Sequence, residues 1–412
     1  MAPQNPQDYA IESGPMGPIG EGQALILRVN RNCPWNQCLF CPVYKGRKFS
    51  ARSADEITRD IDAVSRSRDL LDRTSWQAGL QGLIKAELVQ EVAARYPETY
   101  GKYPLEVTEA QLSALMTLHN VARWLMNGAG RVFLQDANAL AMKPGALAQV
   151  LRYLKESFPS VHTVTSYARS KTCARRSPEE LSALKEAGLS WCFVGIESGS
   201  DAVLKDMRKG VTMAEHIEGG RTLMASGIHM AAFVMPGLAG NDVGRSRKHI
   251  ADTVTVLNAV QPTEVRVRSL ALLEGTLLYE KWQSGDFDAA TEDRMIDELR
   301  VLIEGLTFEC TFETLQMTNA LFSLKGPFSQ TKGTMLDAID WYEALPPLEK
   351  SYFLLQRFTK EGYLDFVKAW GKDDARLYQH IEEAEKSLAQ GADDALEKAS
   401  RVVFAIKSKG VP

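Results

Sequence analysis

The chain has 412 residues, 45% of them hydrophobic and 24% charged, enough to bury a sizeable core and too polar for a membrane-embedded protein. Lys and Arg number 48 against 52 Asp and Glu, a net charge of -4, which argues against a chain built to coat nucleic acid and leaves room only for a local basic groove. No uncharged apolar run approaches the roughly 18 residues a membrane span needs, and no basic segment followed by an apolar one opens the chain. The expectation is a cytoplasmic protein.

A Pro/Gly-rich lead occupies residues 1–21. Residues 24–30, ALILRVN, then read as a short buried strand ending directly before a cluster of cysteines. Ser53 offers an N-cap for a helix carrying Ile57, Ile61, Val64, Leu70 and Leu71, and helical patterns follow over residues 78–94 and 109–126. From Arg131 onward, apolar runs alternate with amphipathic segments: RVFLQ, HTVTSY, WCFVGI, HMAAFVM and EVRVRSL are each followed by a helical pattern. Strands alternating with helices predict parallel βαβ units, whose crossovers are right-handed and whose strand C-terminal ends open on one face. Six such strands make an α/β fold, a partial (β/α)6 TIM-like barrel over residues 22–285. It carries a helical insertion at about 73–128 and a helical region over 286–412. An open doubly wound sheet has the same periodicity.

Six cysteines in a chain of this length make no disulfide framework, because three of them lie within nine residues. In RNCPWNQCLFCPVYKG, Cys33, Cys38 and Cys41 are separated by four and then two residues. Three thiolates on one loop can hold three irons of a cubane cluster, where the all-cysteine type has four ligands, and so leave one iron open to an exchangeable ligand. A structural zinc is the rival. It wants four ligands, usually in pairs, and neither His119 nor His162 stands at a spacing that completes a finger.

The cysteine loop after the first strand, Phe40 before the last cysteine, and the later phrases GIESGSDAVLKDMRKGVT and FVMPGLAG together resemble the radical S-adenosylmethionine (SAM) superfamily. Most members place three residues between the first two cysteines. Here there are four, Pro34, Trp35, Asn36 and Gln37. The resemblance, which covers residues 22–285, implies a 4Fe-4S cluster on Cys33, Cys38 and Cys41, with SAM on its open iron. It further implies that Phe40 packs near the SAM adenine. Asp136 and Asn138 stand where relatives carry a Gly-Gly-Glu turn that meets the SAM ammonium, although Asp136 could equally cap a turn. Ser166 would face the ribose and Arg169 the carboxylate. Glu197 would reach toward the ribose hydroxyls. Lys209, with Arg208 as its competitor, would pair with the methionine carboxylate, and Pro236 and Gly237 would shape the adenine side.

The implied activity is reductive cleavage of SAM to a 5′-deoxyadenosyl radical that abstracts hydrogen from a substrate. No catalytic residue is assigned beyond these contacts. The expected partners are an electron donor of flavodoxin or ferredoxin type and a small-molecule substrate, since no recognisable RNA-binding domain follows the barrel. An RNA-modifying enzyme is the alternative, because the GIESGS phrase also resembles such relatives, and a non-catalytic iron-sulfur or zinc protein is the second. Cys173, Cys192 and Cys310 are scattered and read as core residues, with a catalytic thiol at Cys310 the sharper possibility. The basic run through Lys45, Arg47, Lys48 and Arg52 reads as a solvated loop.

Overall fold

Where β-branched and aromatic residues bury both faces, the chain runs as parallel strands. In the computed structural model, which describes residues 5–15, 20–102, 107–321 and 323–410, these are β1 (Leu25–Arg28), β4 (Arg131–Gln135), β5 (Thr163–Ala168), β6 (Leu189–Glu197), β7 (His229–Val234) and β8 (Glu264–Val267). Between β1 and β4 lie β2 (Asn30–Arg31) and β3 (Ser50–Ala51), a short antiparallel ribbon. All six expected runs are strands. The fold is α/β, with parallel strands and many helices.

The chain divides into two units. The first comprises Met1–Pro34, Gly46–Phe193 and Thr222–His229. In it β1 pairs in parallel with β4, Leu25 opposite Val132, and β4 with β5, Val132 opposite Val164. The helix Ala54–Gln77 begins at Ser53, whose hydroxyl accepts from Glu56 N (3.2 Å) while Glu56 returns a carboxylate to Ser53 N (2.7 Å), so two otherwise unpaired amides are satisfied. Its Ile57, Ile61, Val64 and Leu71 are fully buried. Of the helix expected over 78–94, only Glu87–Arg95 forms. Gly79, Gln81 and Gly82 have φ of 74°, 53° and 86°, values that end a right-handed helix. The helix expected over 109–126 is found as Glu109–Met126. Residues 1–4 and 16–19 of the expected lead, and 103–106 of the expected insertion, lie outside the described residues.

The second unit comprises Trp35–Lys45, Val194–Arg221 and Met230–Pro412. Its strands are β7, β8 and two that the sequence reading missed, β9 (Thr311–Glu313) and β10 (Lys325–Pro327). β8 pairs in parallel with β7 and β9, and β10 antiparallel with β9. Strands therefore do not stop at Gly285. Three residues each, one strand carrying a buried Glu313 and the other a Gly-Pro pair, are too short and too polar to show a period of two. The region beyond is otherwise helical. The helices Pro347–Lys360, Ala375–Gln390 and Ala395–Ser408 close a core on Leu355, Phe358, Ala384, Val402 and Ile406. Among the described residues no helix is long and apolar enough to cross a membrane.

Candidate active site

In the first unit β1 hands over to the residue before Cys33 through a charged clasp. Asp136, fully buried after β4, accepts on one oxygen from Arg28 Nε (2.9 Å), Arg28 Nη2 (2.7 Å) and the backbone N–H of Asn32 (2.6 Å). Asn32 stands at φ 68°, a left-handed conformation that asparagine tolerates better than most side chains. Arg28 also reaches Glu12 (3.0 Å), and Arg31 binds the same carboxylate at 2.6–3.0 Å. Burial works against the charge of Glu12, but Arg31, Arg52 and Arg28 outweigh it and hold its pKa below the usual carboxylate value. Arg52 is not solvated, as the sequence reading had it. It is buried, with Nη1 on Asp60 (2.7 Å) and on the Arg28 carbonyl (2.5 Å).

Asn30 Nδ2 donates to the Asn138 carbonyl (3.0 Å), and Asn138 Nδ2 to Thr172 Oγ1 (2.8 Å). This arrangement leaves three buried acceptor oxygens without a partner: Asn30 Oδ1, Asp136 Oδ1 and Asn138 Oδ1. A buried acceptor left unpaired costs about 1–3 kcal/mol, and a ligand ammonium is the kind of group that removes that cost. Asp136 does not act as a turn cap. Ser166 is buried, its Oγ within reach of the Leu134 (3.2 Å) and Tyr167 (2.9 Å) carbonyls. Arg169 is half-buried at the start of the helix Ser170–Ala174.

In the second unit the loop Trp35–Lys45 is bound to the segment after β6. Trp35 Nε1 donates to the Arg208 carbonyl (2.7 Å), and Leu39 N to the Met207 carbonyl (3.1 Å). A Cβ at Gly210, which has φ 70°, would collide with the Trp35 ring, so only glycine admits this packing. Asn36, inside the four-residue spacer, has φ 48° and donates to the Tyr44 carbonyl (2.5 Å), while Lys45 Nζ reaches the Asn36 carbonyl (3.0 Å). Glu197 and Lys209 form an ion pair at 3.0 Å, their side chains only 12% and 14% exposed, and Lys209 Nζ lies 5.8 Å from the centre of the Phe40 ring. Three expected contacts, Phe40, Glu197 and Lys209, thus meet. Arg208, the competitor of Lys209, is exposed.

Glu197 has φ 62°, a conformation costing about 1–3 kcal/mol that persists only when the surroundings enforce it. The enforcing residues were invisible in the sequence. The Glu197 carbonyl accepts from Met235 N (3.1 Å), Gly199 N donates to Thr253 Oγ1 (2.8 Å), and Ser198 Oγ bonds His249 Nδ1 (2.7 Å). Behind His249, Glu298 accepts from Ser246 Oγ (2.5 Å) and Gly237 N (2.6 Å). Gly237 has φ 88°, a left-handed conformation that glycine adopts without strain. Its N–H is spent on Glu298, and a Cβ there would press on Met295.

Burial raises the Glu298 pKa to about 7 and lowers that of His249 to about 4. Glu298 binds its proton more tightly folded than unfolded, so its share of stability is lost as pH rises from about 4.5 to 7. His249 works the other way, losing stability as pH falls from about 6.5 to 4. The two oppose each other in wild type. The difference in unfolding free energy between wild type and Glu298→Gln is therefore expected to shrink by on the order of 3 kcal/mol between pH 4.5 and 7.5, read from urea midpoints. A pH-independent difference would show that Glu298 does not titrate in this window.

Cys33, Cys38 and Cys41 are half-buried, whereas Cys173, Cys192 and Cys310 are buried. Burial pushes the Cys173 and Cys310 thiols up to about 12 and Cys192 well above its usual value, the signature of inert core thiols. Among the described residues, no three His, Cys, Asp or Glu side chains are gathered as metal ligands.

No family model matches the chain. It is 26% identical to a tRNA uridine(34) acetyltransferase of Methanocaldococcus infernus over 121 residues, 29% of this chain and 22% of that protein. The same enzyme of Methanocaldococcus jannaschii is 24% identical over 119 residues, again 29% and 22%. The chain thus spans about a fifth of the length of these curated relatives. Among solved structures, Escherichia coli coproporphyrinogen III oxidase, described as a radical SAM enzyme, is similar over 68% of this chain and 51% of its own, with TM-score 0.38 and 11% identity.

Proposed function

We propose that this chain is a radical SAM enzyme, with Cys33, Cys38 and Cys41 holding a 4Fe-4S cluster and SAM bound beside it in a six-stranded partial barrel over residues 22–285. The observation that carries the reading is the junction of the cysteine loop with the segment after β6, where Phe40, Lys209 and Glu197 meet. Taken unit by unit, the donors are of the types that SAM requires. In the first unit the unpartnered oxygens of Asn30, Asp136 and Asn138 are acceptors suited to an ammonium, and the reading assigns Ser166 to the ribose and Arg169 to the carboxylate; in the second it assigns Lys209 to the SAM carboxylate, Glu197 to its ribose hydroxyls and Phe40 to its adenine. When bound, cluster and SAM supply one-electron reduction and hydrogen-atom abstraction through a 5′-deoxyadenosyl radical. The chain's own residues bind, orient and exclude water. Residues 1–21 are assigned as a lead and 286–412 as the region contacting substrate, which we take to be a small molecule. The protein is placed in the cytoplasm, served by a flavodoxin- or ferredoxin-type donor.

A second reading, an RNA-modifying enzyme, is favoured by one observation, the likeness to tRNA uridine(34) acetyltransferases. Anaerobic, iron-reconstituted, dithionite-reduced protein is expected to convert SAM to 5′-deoxyadenosine, measured by mass spectrometry. Deuterium transfer from labelled metabolites or from labelled transfer RNA then separates the two substrate classes. Protein that binds neither iron nor SAM is a different kind of protein.

Glu197→Gln and Lys209→Met are each expected to weaken SAM binding about tenfold, the effect of roughly 1.4 kcal/mol, with iron content unchanged. Equilibrium dialysis with labelled SAM measures the first and a ferrozine assay the second. Unaltered SAM affinity in both variants would return the pair to a structural role.

A further inference from the structure

The second unit holds a cavity of about 210 Å³. Its apolar wall includes Leu270, Leu272, Met295, Leu354, Val403 and Phe404. Leu270 and Leu272 belong to the same cluster as Leu39, with Phe40, Ala289 and Phe404 packed against it. One wall of the cavity thus belongs to the same apolar cluster as the two residues just before Cys41. An engineered apolar cavity of about 150 Å³ admits benzene, so this one has room for a ring or branched alkyl group and a short head.

The polar side is an ion pair. Lys407, on the helix Ala395–Ser408, has a side chain 5% exposed and binds Glu292, 13% exposed, at the start of the helix Glu292–Gly305. Thr291 and Ser351 add hydroxyls, and a second lining carboxylate, Asp293, is 60% exposed to solvent, accepts from the Tyr342 hydroxyl (2.9 Å) and has Lys350 Nζ at 3.9 Å to balance its charge. Two opposite charges this deeply buried sum to zero. A ligand with a net charge would bring an unbalanced ion against a lining whose charges are already paired, at a desolvation cost. A net-neutral head carrying both an acceptor and a donor leaves no charge unbalanced, meeting Lys407 with one and Glu292 with the other.

The geometry points to this cavity as the binding site for a small molecule with an apolar body and a net-neutral, donor-plus-acceptor head, either an apolar α-amino acid zwitterion or a primary amide. Its service as the substrate site rests on the radical SAM reading, while the binding itself does not.

The test is isothermal titration of the full chain, without cluster, with four probes sharing a phenyl body: L-phenylalanine, 3-phenylpropanamide, 3-phenylpropanoate and 2-phenylethylamine. At least one of the two net-neutral probes is expected to bind tenfold or more tighter than either charged one. The tighter of the neutral two assigns the head. Ala290→Leu, which fills the cavity, is expected to abolish that binding. So is the double variant Glu292→Gln/Lys407→Met, which removes both charges together and leaves no unpaired buried ion behind; circular dichroism checks its fold. The inference is overturned by charged probes that bind equally well, by the absence of binding to any probe, or by undiminished binding to Ala290→Leu. Because 5′-deoxyadenosine formation is measured separately, binding without SAM cleavage would sink the radical SAM reading alone, and cleavage without binding the cavity assignment alone.

Discussion

Cys38→Ala is expected to lose both bound iron and 5′-deoxyadenosine formation, the latter falling below detection, while the protein keeps its fold. Only three cysteines are available to the proposed cluster, and a cubane that already spends one iron on an exchangeable ligand has none to spare. The fold should survive because the loop is held by other groups. Trp35, Asn36 and Leu39 bond to Arg208, Tyr44 and Met207 through atoms the substitution leaves in place. Cys192→Ala and Cys310→Ala are the matched controls, since their buried thiols are held protonated, and both should keep iron. Iron stoichiometry, the visible absorption of the reconstituted protein and the SAM assay decide the matter. Full iron in Cys38→Ala would remove this cysteine from the ligand set.

The second large effect is expected at Asp136. Asp136→Ala deletes the acceptor shared by Arg28 and Asn32 N, and leaves a guanidinium only 12% exposed with Glu12 as its remaining carboxylate. Breaking a buried pair from one side costs about 3–5 kcal/mol. The surviving Glu12 contact puts the expected loss near the lower end, about 3 kcal/mol, visible as a fall in the urea midpoint. Asn32 is adjacent to Cys33, so reconstituted iron should fall as well. Asp136→Asn keeps an oxygen for Asn32 N and should recover part of the iron with little of the stability. If Asp136→Ala holds its iron and loses only stability, Asp136 is a fold anchor with no part in presenting Cys33.

The local elements were legible because short-range rules govern them. The Ser53 capping box, the helix Glu109–Met126 and the strand Arg131–Gln135 each carry their signal within a few residues. β9 and β10 were not legible, because three residues hold less than two periods of alternation and their strand character comes from pairing with β8 and with each other. The break at Gly79 to Gly82 was missed for a related reason: glycine permits a left-handed turn without requiring one.

For the site, the residue types were legible in the sequence: three cysteines on one loop after the first strand, with Phe40, Glu197 and Lys209 as expected contacts. It took long-range packing to turn Lys209 and not Arg208 inward, to spend one oxygen of Asp136 on Arg28 and Asn32, and to set Ser198, His249 and Glu298 behind Glu197. The physical reason is range. Capping and periodicity act between residues a turn or less apart, whereas a buried charge or strained backbone is decided by whichever distant groups packing brings to it. His249 is 51 residues from Ser198, and no spacing rule extends that far.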